Sequence, residues 1–189
     1  MTFAEPPETA AWQHREARTG FEVLQIARSG GGWRLHGTTT AVEDGAPWTV
    51  DYVIEVDVRW RTRSARVSNL LDGGPGEVVV RQVREGRWTV DGRPAPDLDG
   101  CLDVDLESSA MTNALPVHRL DLPAGGTAEV PAVYVRAADL SVGRLEQTYT
   151  RGGRAAYDYA APAFDFTARL VYDDAGFVLE YPGLATRRA

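Results

Sequence analysis

Five carboxylates, Asp97, Asp99, Asp103, Asp105 and Glu107, fall within eleven residues, with no basic residue between them. Asp103 and Asp105 are two apart, so on a strand they share one face while Leu102, Val104 and Leu106 share the other. Such a pair can do acid–base work, bind a cation or sit in a polar cavity. It can equally be a solvated strand face opposite an arginine-bearing neighbour. The spacing is not that of a calcium loop, because the third ligand position would be Cys101 and the closing glutamate is missing. Arg61 and Arg63 also share a face if the segment is a strand. Guanidinium forks hold phosphate or carboxylate bidentately, or they pair with Asp103 and Asp105.

Other chemistries fare worse. His14, His36 and His118 are far apart, and none has a second histidine at metal-ligand spacing. Ser141 lies in Asp139-Leu140-Ser141-Val142-Gly143, which lacks the first glycine of a nucleophile elbow. Cys101 is the single cysteine, which rules out an internal disulfide and a multi-thiolate zinc site. Its strand pattern suits a buried core thiol better than a nucleophile. All 20 basic residues are arginine. Without lysine there is no Schiff-base chemistry and no lysine-centred phosphate loop. A formal net charge of −7 argues against general nucleic-acid binding. No cofactor and no metal are expected.

The elements that must position these residues are strands. Trp48, Val50, Tyr52, Ile54, Val56, Val58 and Trp60 are all apolar, and of the residues between them only Val53 is. That period of two reads as one long strand with an apolar and a polar face. Further strands are expected at Phe21–Ala27, Trp33–Thr40, Ala65–Leu71, Glu77–Val83, Arg87–Val90, Cys101–Leu106 and Val117–Leu122. The series continues with Ala128–Arg136, Ser141–Tyr149, Ala155–Ala160, Phe164–Tyr172 and Phe177–Tyr181. Turn signals separate them, among them Gly30-Gly31-Gly32, Asp44-Gly45, Asp72-Gly73-Gly74-Pro75, Glu85-Gly86 and Asp91-Gly92. The strongest helical stripe, Thr9–Arg18, is short enough to be a strand lead-in. The expected class is all-β: a single curved antiparallel sheet, as a spiral roll or open barrel with a central hollow and little helix. Residues 12–189 are expected to form one domain after a disordered tail at 1–11. No signal peptide and no transmembrane segment is recognised, which points to a cytoplasmic protein.

Several motifs then combine. Trp48…Asp51-Tyr52…Asp57…Trp60-Arg61-Thr62-Arg63 is followed by Gly100-Cys101-Leu102-Asp103-Val104-Asp105-Leu106. Next come Thr112-Asn113-Ala114-Leu115-Pro116-Val117-His118-Arg119-Leu120, Gln147-Thr148-Tyr149 and Gly176-Phe177-Val178-Leu179-Glu180-Tyr181-Pro182-Gly183-Leu184. In this order, from about Trp12 to Leu184, they resemble a bacterial family called "putative glycolipid-binding", first defined as a domain of unknown function. Ala110-Met111 departs from the pattern, where a proline and an aromatic would precede Thr112-Asn113. The resemblance implies a spiral β-roll similar to periplasmic lipoprotein carriers, with an amphiphile such as a glycolipid in its hollow. Those carriers are exported, so a cytoplasmic chain would handle a precursor or another ligand.

The leading expectation is therefore a non-enzymatic carrier or sensor of an amphiphilic small molecule. An acid–base enzyme using Asp103 or Asp105, and an interaction module with a self-filled core, remain as alternatives. The residues expected around the hollow are Trp60, Arg61, Arg63, Asp103, Asp105, Thr112, Asn113, His118, Arg119, Gln147 and Tyr149.

Overall fold

The structure is a computed structural model that describes residues 3–71, 74–153 and 155–189. The first half is a run of hairpins: β1 (Thr9–His14), β2 (Thr19–Ser29), β3 (Gly32–Glu43), β4 (Ala46–Asp57), β5 (Thr62–Leu71), β6 (Gly74–Arg84), β7 (Arg87–Val90) and β8 (Arg93–Pro94). Then come β9 (Asp103–Leu106) and a seven-residue helix, α1 (Ala114–Leu120). The second half holds β10 (Thr127–Glu129), β11 (Ala132–Val135), β12 (Val142–Leu145), β13 (Thr148–Arg151), β14 (Ala156–Ala161), β15 (Phe166–Tyr172), β16 (Val178–Tyr181) and β17 (Ala185–Arg187).

Fourteen strands form one antiparallel sheet, ordered β10-β13-β14-β15-β16-β17-β1-β2-β3-β4-β5-β6-β7-β8. The two ends of the chain meet inside it, where β1 pairs with β17 and Trp12 lies opposite Arg187. The sheet curls without closing, so β8 and β10 remain as edges. A smaller sheet, β12-β11-β9, contains the parallel pair β9–β11. Tight hairpins fall where turn residues were read. Asp44-Gly45 and Asp91-Gly92 have positive φ at both positions, 51° and 80°, and 48° and 79°. That is the backbone a two-residue type I′ turn needs. The turn expected at Asp72-Gly73 lies outside the described residues.

The long alternating strand is real but shorter than its pattern. Val50, Tyr52, Ile54 and Val56 are buried, and then the chain turns after Asp57. Val58 is left 72% exposed, and Trp60 returns to the interior with φ at 62°. β1 begins at Thr9, inside the segment read as a tail, and its residues alternate in burial as a strand does.

The larger correction concerns Val117–Leu122, expected as a strand. Residues 114–120 are helical, entered through a turn of 3-10 helix at Met111–Asn113. Pro116 sits in the first turn, where its missing N–H costs no hydrogen bond. Asp121 ends the helix in the left-handed region at φ 40°. Met111, Ala114, Leu115 and Val117 are fully buried, so this helix has no polar stripe to reveal it.

Segment 101–120 lies within the curl, because side chains from both arms of the sheet bond to it. From β3 the Thr39 hydroxyl donates to the Ser108 carbonyl at 2.9 Å. From β13 and β15, Tyr149 donates to Asn113 Oδ1 at 2.8 Å and Tyr172 to the Asn113 carbonyl at 3.2 Å. Most of the hollow is therefore filled by the chain itself. Each large side chain buried there contributes about 1.5–3 kcal/mol.

Candidate functional site

The filling is incomplete on one side. Between segment 105–113 and the arm β14–β17 lies a cavity of about 230 Å³. Alternation along β14 turns Tyr157, Tyr159 and Ala161 inward together, and Tyr159 and Ala161 line the cavity. Phe166 of β15 and Tyr181 of β16 complete an aromatic triangle with Tyr159, their ring centroids 5.9–6.2 Å apart. Tyr134 of β11 and the 55% exposed Phe164 meet across the rim at 5.5 Å. A larger hollow of about 500 Å³ on the convex face, lined by residues such as Thr40, Val42 and Leu70, has no charged residue in its wall among the described residues.

The polar groups of the cavity divide into satisfied and unsatisfied sets. Asp105 accepts from Thr112 Oγ1 at 2.9 Å and from Gln147 Nε2. Burial pushes its carboxyl up to about 6, and the charges of Asp103 and Glu107 push the same way. Glu107 accepts from the Ala137 amide at 2.8 Å. Behind Ser109, the fully buried Glu22 of β2 accepts from Tyr52 at 2.6 Å, from the Ser109 hydroxyl and from the Ala110 amide at 2.8 Å. Burial raises its pKa and these hydrogen bonds oppose the rise. The carboxylate thus latches the entry of the inner helix to the sheet.

His14 and Arg18 are the unsatisfied set. They are 4% and 7% exposed and both line the cavity. Among the described residues neither His14 nitrogen has a hydrogen-bond partner, and neither do Arg18 Nε and Nη1. Burial first, and the Arg18 charge second, hold the His14 imidazole down to about 4, so it is neutral at pH 7. Arg18 lies 5.3 Å from the centroid of the Trp48 ring. Its ion-pair partner Glu43 stands 3.9 Å from Nε, beyond hydrogen-bonding distance, and is 38% exposed.

The residues expected around the hollow separate into four groups. Asp105 and Asn113 line the cavity, and Thr112, Gln147 and Tyr149 stand directly behind them through the hydrogen bonds given above. Asp103 and Arg119 instead form a buried pair, with Arg119 Nη2 at 2.6 Å and Nε at 3.1 Å from the carboxylate. Trp60 and His118 stack on each other at 3.8 Å beside Phe177, outside the cavity lining. Arg61 pairs with Glu85 at 2.8 Å, and Arg63 donates to the Gly30 carbonyl at 3.2 Å. Thr62 is the buried residue between them: Arg63 is exposed, whereas Arg61 is half-buried, its Nε has no hydrogen-bond partner among the described residues, and its charge opposes the rise in the Asp103 pKa.

Sequence reasoning missed His14, Arg18, Tyr134, Tyr159, Phe166 and Tyr181 as a set. The inward tyrosines of β14 had a signal, since Tyr157 and Tyr159 are two apart in a strand. Arg18 had none, because it sits in the β1–β2 connection and is drawn in by long-range pairing. The amides of Arg15 and Ala17 donate to the carbonyls of Leu184 and Gly183 at 2.9 and 3.4 Å, tying that connection to the far end of the chain.

Comparison with known proteins agrees with this architecture. A crystal structure of a DUF1089 family protein from Pseudomonas aeruginosa superposes with a TM-score of 0.81 at 30% identity, covering 100% of this chain and 98% of that one. A β-barrel-like protein of the DUF1849 domain from Brucella abortus gives 0.54 at 12% identity, covering 98% and 96%, which speaks to the fold alone. No curated protein matches the chain. Over residues 9–187 the chain matches the family described as "Putative glycolipid-binding", and it belongs to that family.

Proposed function

We propose that the protein is a non-enzymatic carrier or sensor that holds part of an amphiphilic small molecule, such as a glycolipid, in the cavity beside Asp105. The observation that carries this reading is the pairing of an aromatic wall with buried side-chain nitrogens that have no hydrogen-bond partner among the described residues. Tyr159, Phe166 and Tyr181 offer ring faces to an apolar chain or a sugar ring. His14 and Arg18 offer hydrogen bonds that the fold leaves unmade. A volume of about 230 Å³ is smaller than a typical drug-sized site, so it suits a headgroup or a short stretch of chain, with the remainder leaving past Phe164.

The test is a titration of the delipidated protein with dodecyl maltoside, dodecyl phosphate and laurate below their micelle concentrations, followed by amide NMR. Binding should shift the amides of Asp105, Asn113, Tyr159 and Phe166. Phe164→Ala should weaken it several-fold while leaving the fold intact, because that ring is more than half exposed. Shifts confined to the convex face would refute the reading.

A second reading has one observation in its favour. A carboxyl raised to about 6 at a cavity wall is suited to proton transfer near neutral pH. Both Asp105 oxygens already accept hydrogen bonds, and the Ser109 hydroxyl donates to Glu22 rather than to an imidazole. An enzyme at this site would lose turnover but keep ligand binding in Asp105→Asn.

A further inference from the structure

Arg18 says more about the ligand than the aromatic wall does. Its guanidinium is 7% exposed, lines the cavity and leaves Nε and Nη1 without acceptors. A buried cation with unused donors is costly unless something negative comes to meet it. Asp105 is committed to Thr112 and Gln147 and Glu107 to the Ala137 amide; the Glu43 carboxylate at 3.9 Å and the Trp48 ring at 5.3 Å face the charge but take no hydrogen bond from Nε or Nη1. His14 leaves both ring nitrogens free in the same wall, so one N–H is available beside the guanidinium.

The unused groups are thus mostly donors, and they lie together. Resting on the reading of this cavity as an amphiphile site, we propose that its ligand is an anion whose carboxylate or phosphate is held by Arg18 and His14. The apolar part then lies along Phe166, Tyr181 and Leu184. Asp105 and Glu107 line the same cavity, and their negative charges keep the anion beside Arg18 rather than beside them.

The experiment compares five probes on the delipidated full chain by calorimetry: dodecyl phosphate, laurate, dodecyl maltoside, dodecyltrimethylammonium and inorganic phosphate. Wild-type protein should bind the first two most tightly. Arg18→Gln should lose about 10- to 100-fold of that affinity and change dodecyl maltoside binding by less than about 3-fold, as expected for a lost charge-assisted hydrogen bond. Arg18→Lys, which keeps the charge but not Nε, should fall between.

The charge preference of the wild-type protein is a readout that survives if Arg18→Gln does not fold. Equal binding of the anionic, neutral and cationic chains would overturn the inference, as would an equal loss of all of them in Arg18→Gln. Inorganic phosphate binding as tightly as dodecyl phosphate would keep the anion site but overturn the amphiphile reading. Binding of none of the five would overturn both.

Discussion

Replacing Arg119 by Met keeps an apolar stem of similar length and removes the partner of Asp103. The Asp103 side chain is 2% exposed and that of Arg119 14%, so water cannot take over. Leaving one member of a buried pair alone costs about 3–5 kcal/mol. The carboxylate has one escape, which is to take up a proton. From an ordinary value of 3.8, holding the proton on at pH 7 costs about 4 kcal/mol and at pH 5 about 2 kcal/mol. Burial already raises this pKa, with the Arg119 hydrogen bonds opposing it, so removing Arg119 raises it further. The folded variant then binds more protons than the folded wild type at pH values between their two Asp103 pKa values, and its deficit grows as pH rises through that window. Urea unfolding should therefore find Arg119→Met about 3–5 kcal/mol less stable than wild type at pH 7, with a smaller deficit at pH 5. Adding Asp103→Asn should recover most of the loss at pH 7 and leave amphiphile binding intact. A loss below about 1 kcal/mol at pH 7, or one independent of pH, would refute the assignment of this pair to the fold.

Other perturbations test other parts of the structure. At Gly37 an added Cβ would lie 2.2 Å from Tyr52 Cζ and Oη, pushing the ring off Glu22; Gly37→Ala should cost about 3 kcal/mol or more in urea unfolding, and a neutral substitution would contradict the packing. Tyr52→Phe removes one donor from the Glu22 carboxylate and should cost about 2 kcal/mol by the same assay. For Asp105, carboxyl-detected NMR should give a titration near 6; the folded state holds the proton between 3.8 and 6, so this group's stabilising contribution is full at low pH and falls by about 3 kcal/mol as pH rises through that window. Asp105→Asn should remove that slope, and a titration near 4 in the wild type would contradict the burial of the carboxyl.

The sheet was legible because a half-buried antiparallel strand writes its burial into alternate residues. Tyr52, Ile54 and Val56 display that directly, and Asp44-Gly45 marks the hairpin between β3 and β4. The inner helix was not legible. A short helix wrapped in core needs no polar face, so Met111, Ala114, Leu115 and Val117 carry no 3.6-residue stripe. Asp105 and Asn113 lie in the cavity wall, on the segment to which the paired carboxylates and the family motifs pointed. Asp103 lies outside the cavity lining and is paired with Arg119, which α1 delivers to it; that segment was expected as a strand. Arg61 and Arg63 lie outside the cavity lining, because the turn after Asp57 shifts the strand phase and brings Thr62 inward between them. His14 and Arg18 come to the cavity through β1 pairing with β17, a contact between opposite ends of the chain that no local pattern encodes.

Native mass spectrometry of the purified protein, with organic extraction of what it carries, addresses the cavity most directly. The expected result is a complex with an anionic amphiphile of defined mass, which rebinds after delipidation and fails to rebind to Arg18→Gln. A protein that is empty as purified and takes up neither dodecyl phosphate nor dodecyl maltoside would contradict the assignment.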